Sequence, residues 1–358
     1  MQNRKKILVA PLNWGLGHAS RCVPVIHELI AQDAEVLIAA DGGALQLIRK
    51  EFPQLKWYKL AGCSIRYWWN LNALFQIVLQ LPGLFLTFYN ERKWLKRLIE
   101  KENIDAIISD NRYGLYSGKI DSVFITHQTC IQLPTAFWWL EKYFYRLNKK
   151  IIGRFSECWI PDDNDPGKSL SGNLSHQFPL PQNACFMGSL SRFHYGKKSK
   201  QYDLLIVISG PENQRTKFEE LITQQAVCLD LKIQMVRGIP ESNKRVFVKS
   251  NFLKIDYMTA KELNLAFLSS EIIIARSGYS TIMDLAATGS KAVLIPTRGQ
   301  TEQEYLAEFL MKKKICYSES QKQFDLVRSL KRAEAYTGFK LQSGNSFLKE
   351  RVKYLLEQ

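Results

Sequence analysis

The run EIIIARSGYSTIMDLAATGSKAVLIP, residues 271–296, decides how this chain folds. It opens with a strand at 271–275 whose residues 272–275 (IIIA) are an unbroken apolar stretch, the mark of a strand buried on both faces. Arg276-Ser277-Gly278 interrupts it, a helix begins at Tyr279, and a second apolar strand follows at 291–296. A strand, a crossover helix and another strand make a parallel βαβ unit.

The pattern extends in both directions. Residues 202–209 (YDLLIVIS) read as a buried strand and 217–230 as a helix. Near the N-terminus, 6–10 read as a strand, followed by the Gly15–Gly17 turn and a helix with Cys22, Ile26, Leu29 and Ile30 on one face. Further strands are expected at 35–40 (ending at Asp41), 106–109 and 122–126. Strands separated by helices predict an α/β fold with doubly wound parallel sheets in both halves. Residues 161–200 are rich in Asp, Asn, Gly, Pro, Ser and Lys. The predicted domains are 1–190 and 200–340, with the boundary near 191–200. A terminal helix within 341–358 is expected to pack back on the first domain.

Three hundred and fifty-eight residues suffice for two domains, and 46% hydrophobic residues supply two cores. The formal charge of +15 favours phosphate-rich partners: nucleotide, nucleic acid or an anionic membrane surface. Seven scattered cysteines without a CxxC or metal spacing fit reduced thiols in a cytoplasm. The N-terminal apolar run is too short for a signal peptide and reads as the first strand. Residues 66–101 (RYWWNLNALFQIVLQLPGLFLTFYNERKWLKRLIEK) are apolar over nearly one membrane width. Asn72, Gln76, Gln80 and the Pro82-Gly83 pair argue against a span, and predict two helices. The second is amphipathic, with Arg92, Lys93, Lys96 and Arg97 beside Trp94. Residues 137–154 (FWWLEKYFYRLNKKIIGR) repeat this composition. Aromatics mixed with Lys and Arg suit a bilayer interface. They do not suit nucleic acid, because the aromatics sit in apolar runs rather than between spaced cations. Packing in the core of a large domain is the competing reading.

Several junctions carry chemistry. Asn13-Trp14-Gly15-Leu16-Gly17-His18-Ala19-Ser20-Arg21 joins the first strand to the first helix. Gly15 and Gly17 permit a tight turn that brings a ligand to the helix N-terminus, where free N–H groups attract anions. His18 is the candidate general base and Asp110, after the 106–109 strand, the reserve. A nicotinamide enzyme stays open as an alternative: Asp41 stands where a ribose-binding acid would, although Ser20 replaces the third glycine of GxGxxG. Ser209, Gly210 and Arg215 form a second strand–helix junction able to meet a diphosphate, or an ordinary N-terminal turn. At the third junction Arg276, Ser277 and Gly278 bring backbone close to a phosphate. Asp284 shares a helix face with Ser280 and Thr281, where it would accept both hydroxyls of a ribose. Thr281 with Asp284 also reads as a capping box. The polar loop 296–305 (PTRGQTEQEY) follows the next strand, at the sheet end where such folds bind ligands. Asp163-Asn164-Asp165 resembles a metal-binding DxD but lies in a turn-rich cluster and reads as a loop.

RSGYSTIMDLAATG and the following PTRGQTEQEY loop resemble the MurG-like glycosyltransferases of glycosyltransferase family 28, over about 202–313. The resemblance implies the GT-B fold, two Rossmann-like doubly wound domains facing a cleft, and an inverting transferase that uses a UDP-sugar. It places the diphosphate at the Ser277-Gly278 turn, the ribose at Asp284 and sugar hydroxyls at Gln303 and Glu304. Glutamate at 304 departs from the family's glutamine and points away from N-acetylglucosamine. His127-Gln128-Thr129 resembles a motif near the family's acceptor site. The implied acceptor is a lipid or lipid-linked sugar at the cytoplasmic face of the inner membrane, with no metal or other cofactor. GLGHASRC also resembles the nucleotide-sugar hydrolases of the pseudaminic acid pathway, which use water as acceptor. The long aromatic and basic insert favours the lipid. A non-catalytic membrane binder remains a third alternative.

Overall fold

The computed structural model describes residues 4–62, 73–133, 135–210, 212–341 and 346–358. The chain divides into two compact units. One comprises residues up to Trp14, His18–Leu190 and the segment from Asn345; the other comprises Gly15–Gly17 and Ser191–Gly344.

The first unit runs β1 (Lys6–Pro11), α1 (Gly17–Ala31), β2 (Glu35–Ala40), α2 (Gly42–Glu51), β3 (Lys56–Lys59), α3 (Ala73–Glu102), β4 (Ala106–Asp110), β5 (Asp121–Ile125), α4 (Glu141–Ile152), β6 (Glu157–Ile160), α5 (Asn173–His176) and β7 (Ala184–Phe186). A 3-10 segment, Thr135–Leu140, leads into α4. The strands form one seven-stranded sheet in the order β3-β2-β1-β4-β5-β6-β7, parallel throughout. Ile7, Leu8, Val9 and Ala10 are fully buried, because helices cover both faces of a doubly wound sheet.

The second unit runs β8 (Tyr202–Val207), α6 (Glu212–Ala226), β9 (Ile233–Val236), β10 (Arg245–Lys249), β11 (Phe252–Ile255), α7 (Ala260–Leu268), β12 (Ser270–Ala275), α8 (Tyr279–Thr288), β13 (Lys291–Leu294), α9 (Thr301–Lys312), β14 (Tyr317–Ser318) and α10 (Leu326–Ala333). Its sheet has the order β10-β11-β9-β8-β12-β13-β14, in which β10 pairs antiparallel with β11 and the other described pairs are parallel. The terminal helix α11 (Ser346–Glu357) belongs to the first unit. There Gln32 donates to the Lys349 carbonyl at 2.9 Å, and Arg351 pairs with Glu157 at 3.2 Å.

Each sheet has a point where the strand order reverses, between β1 and β4 in the first and between β8 and β12 in the second. Loops leaving the two strands diverge there, opening a crevice at their C-terminal ends where such folds bind ligands.

Three expectations need correction. The aromatic segment was expected to form two helices split at Pro82, but α3 runs through that proline. One missing donor does not break a long helix that is held at other points. Residues 66–72 of that segment lie outside the described residues. The helix expected at 217–230 spans Glu212–Ala226, starting early because Glu212 and Arg215 pair across its first turn. The Thr281–Asp284 capping box does not form, because the N-cap of α8 is Gly278. Among the described residues, no helix is long and apolar enough to cross a membrane.

Candidate active site

The first unit's reversal point gathers four predicted or neighbouring polar side chains. The chain leaves β1 through Gly15, whose φ of +77° is a left-handed conformation that glycine adopts without strain, and enters α1 at Gly17. His18 follows at once. Across the reversal point, β4 ends at Asp110, which is fully buried. His18 Nδ1 lies 2.7 Å from Asp110 Oδ1. Arg21, one turn along α1 and 2% exposed, donates from Nε to Asp110 Oδ2 at 2.5 Å and from Nη2 to Oδ1. Its Nη1 lies 2.9 Å from Nδ1 of His127, just past β5. Cys22 adds a thiol contact to Asp110 at 3.6 Å. Gln128, next to His127, is half-buried, and its carbonyl accepts from Asn148 of α4 at 3.1 Å.

Asp110 is therefore no reserve base. Burial pushes its carboxyl up, but the Arg21 guanidinium and the hydrogen bonds from Arg21 and His18 override this and hold it at about 2. An anionic, four-donor carboxylate can orient His18 but cannot accept a proton from substrate near neutral pH. Asp41, kept for a nicotinamide alternative, is also engaged: it accepts from the Gly62 N–H at 3.2 Å and faces Arg112 at 3.5 Å.

In the second unit the turns after β8 and β12 meet at the reversal point. Gly210 takes φ +107°. A Cβ there would lie 3.6 Å from the Thr297 hydroxyl, which is buried and has no partner among the described residues. Gly278, N-cap of α8, has an ordinary φ of −70°, and a Cβ on it would meet nothing within 4 Å. Backbone N–H groups of α8 thus begin beside open space, as an anion site requires. Ser209, Ser280 and Thr281 are half-buried near these turns.

Other predicted donor residues are placed differently from expectation. Arg276 is wholly buried and donates to the carbonyls of Ile295, Pro296 and Gln214 and to Gln321, with its guanidinium 4.1 Å over the Phe218 ring. It cross-braces the loops and is not available to a phosphate. Arg215 pairs with Glu212 and donates to the Arg237 carbonyl at 3.1 Å. The Ser277 hydroxyl donates to the Gln303 carbonyl at 2.7 Å. Gln303 accepts from the Thr297 N–H at 2.9 Å and Glu304 from the Gly299 N–H at 3.0 Å, so both side chains brace the 296–305 loop. Asp284 is 5% exposed; it accepts from Ser191 Oγ at 2.7 Å and faces Arg192 Nε at 3.5 Å. Burial raises its carboxyl above the usual range, partly offset by Arg192. A ribose at Asp284 would share it with these two groups. Asp163 and Asp165 accept from backbone N–H groups two residues ahead, forming local turns.

Sequence reasoning missed Arg21, Ser191, Arg192 and Thr297. Arg21 had a signal, since positions three apart share a helix face and His18 was already a candidate. Thr297 lay in the 296–305 loop already singled out, but its neighbour Gly210, like Asp284 beside Ser191 and Arg192, is remote in sequence.

The glycosyltransferase family 28 C-terminal domain matches residues 205–345. An uncharacterized glycosyltransferase of Methanosarcina acetivorans is 25% identical over 339 residues, covering 85% of this chain and 81% of the relative. The UDP-N-acetylglucosamine--N-acetylmuramyl-(pentapeptide) pyrophosphoryl-undecaprenol N-acetylglucosamine transferase of Mannheimia succiniciproducens is 22% identical over 319 residues, 86% of this chain and 82% of its own. Among solved structures, the kitacinnamycin glycosyltransferase superposes with a TM-score of 0.61 at 12% identity, covering 99% of this chain and 95% of that one. The MurG of Acinetobacter baumannii gives 0.55 at 13%, covering 99% and 100%. Two doubly wound sheets, each with a reversal point, together with these matches make the chain a glycosyltransferase of the GT-B fold that is similar to the MurG-like enzymes.

Proposed function

We propose that the enzyme moves a sugar from a UDP-sugar to a hydroxyl of a lipid or lipid-linked acceptor at the cytoplasmic face of a membrane, with inversion. The observation that carries the reaction is the 2.7 Å contact between His18 and Asp110. An ionised carboxylate accepts only, so Nδ1 of His18 carries the proton and Nε2 keeps a lone pair. Nε2 takes the acceptor's hydroxyl proton as the oxygen bonds to the anomeric carbon. The bond from that carbon to the UDP oxygen breaks on the opposite face, and UDP leaves with the electron pair. N–H groups at the start of α8 meet the charge building on the diphosphate.

The UDP donor and lipid-linked acceptor are carried over from the name of the Mannheimia relative. Two neighbouring elements support the membrane part. Phe85, Leu86 and Tyr89 on α3, and Trp138, Trp139 and Tyr143 at and before α4, are each 61% to 68% exposed. Both helices touch Tyr113: Phe88 by a ring contact at 5.5 Å, Asn148 by a hydrogen bond at 3.0 Å. Arg92 and Arg154 meet on Tyr116, at 3.9 and 5.7 Å from its ring centre. Exposed aromatics beside guanidinium groups suit an anionic bilayer surface.

A thermal-shift series with UDP, GDP, TDP and NAD tests the donor half. Stabilisation by UDP above the others is expected, and stabilisation by NAD alone defeats the reading. Release of free sugar from a UDP-sugar at an undiminished rate without acceptor would make the protein a hydrolase.

A further inference from the structure

We propose that Arg21 is a positioning residue that holds His18 and His127 in opposite proton tautomers. This rests on the assignment of His18 as base and extends it to a second histidine and to the group that sets both.

A guanidinium carries five N–H donors in a planar fork and no acceptor. His127 Nδ1 lies 2.9 Å from Arg21 Nη1, so that nitrogen must accept, and the proton of the neutral ring is on Nε2. His18 Nδ1 lies between two groups: Asp110 Oδ1 at 2.7 Å and Arg21 Nη2 at 2.9 Å. It cannot donate to one and accept from the other at once. Arg21 Nη2 already donates to the same Oδ1. Both N–H groups converge on that oxygen, and the 2.9 Å approach is a side contact between two donors. His18 therefore keeps its lone pair on Nε2 while His127 has its proton there.

Asp110 alone does not secure this arrangement. It is fully buried, and burial of a carboxylate drives it towards the protonated form. Arg21, 2% exposed and bonded to both carboxylate oxygens, is the fixed charge that opposes this. With the guanidinium removed, Asp110 takes up a proton and its O–H donates to His18 Nδ1. His18 then carries its proton on Nε2 and has no lone pair for an acceptor hydroxyl. The charge of Arg21 keeps His18 in its working form, and its Nη1 donor requires His127 Nδ1 to accept. Lysine preserves the charge but is a point donor without the fork.

The test is a two-bond 1H–15N spectrum of the histidine rings, read at the alkaline end of a pH series. The chain has five histidines, and His18→Gln and His127→Gln assign the two of interest. Wild type is expected to show His18 protonated on Nδ1 and His127 on Nε2. Arg21→Lys, which keeps the charge, is expected to leave the His18 pattern intact. Arg21→Met, where folded, is expected to switch His18 to the Nε2–H form and abolish UDP release dependent on acceptor. The same tautomer on both rings in wild type overturns the inference, as does an unchanged His18 pattern in folded Arg21→Met. A purely structural Arg21 would change thermal stability and leave both ring patterns alone. If the patterns are as stated but His18→Ala still transfers sugar, the base assignment fails and the tautomer inference stands. The reverse result sinks only the inference.

Discussion

His18 Nδ1 and Asp110 Oδ1 lie 2.7 Å apart although 92 positions separate the two residues, because the order of strands places the loop after β1 beside the end of β4. In the proposed mechanism the pair is a directional base: the carboxylate holds one ring nitrogen and leaves the other with its lone pair. His18→Ala is expected to lower turnover by roughly 10²–10⁴-fold, the usual contribution of a positioned general base. Calorimetric UDP affinity should not change. Asp110→Asn should give a loss of similar order, since an amide can present its N–H to Nδ1 and favour the wrong tautomer. Full transferase activity in either variant removes the pair from the mechanism.

The same carboxylate makes acid stability a readout. Its folded-state value of about 2 lies below its ordinary 3.8. A depressed acid stabilises the fold above its unfolded value and loses that contribution as pH falls through the folded one. The window is therefore about pH 4 down to about pH 2, and the contribution is about 2 kcal/mol. Denaturant midpoints measured between pH 5 and 2.5 should fall more steeply for wild type than for Asp110→Asn. Parallel curves would show that Asp110 is not held in its charged form.

Asp284 is expected to hold the donor's ribose. Asp284→Ala should weaken UDP binding by about 1–3 kcal/mol, the cost of unmaking a hydrogen bond to a charged group. Ser191→Ala, which removes a 2.7 Å donor to the same carboxylate, should cost much less in affinity. Calorimetry that finds UDP affinity unchanged in Asp284→Ala leaves this carboxylate as an anchor for Ser191 and Arg192 only.

Two glycines separate binding from folding. Gly278 has an unstrained φ of −70° and open space around it, so Gly278→Ala should leave Tm unchanged while its methyl obstructs the start of α8 and weakens UDP binding. Gly210 has φ +107°, and Gly210→Ala should cost about 1–3 kcal/mol of stability through backbone strain. A Gly278→Ala protein with wild-type UDP affinity would argue against a diphosphate at that helix end.

The exposed tryptophans give a membrane test. Trp138→Ala with Trp139→Ala should reduce binding to vesicles containing anionic phosphatidylglycerol by at least about tenfold, one tenfold step being about 1.4 kcal/mol. Binding by the wild type should weaken as salt rises, because surface charges are screened. Equal partitioning of both proteins in sedimentation would exclude this surface.

Most of the architecture was legible in local pattern. Apolar runs such as 7–10 and 272–275 have no polar alternation because parallel strands are covered on both faces. Glycines after β1, β8 and β12 marked the strand–helix junctions at the two reversal points. The helix α3 was misread because a proline-glycine pair is a local break signal, whereas packing of the whole helix is not local.

Site chemistry was legible only in part. His18, Asp110 and His127 were visible as candidates one at a time, but nothing in the sequence says that one arginine, 89 positions from Asp110 and 106 from His127, joins them. The sequence also offered Arg276 as a phosphate ligand, and the fold instead surrounds it with carbonyls. The chain alone determined two βαβ-built units, their glycine turns and an excess of positive charge, because these follow from residue type and short-range periodicity. Only the tertiary structure decided which charges are engaged and which remain for a ligand. A buried ion's role depends on the acceptors that crossovers bring around it, and those come from distant parts of the chain.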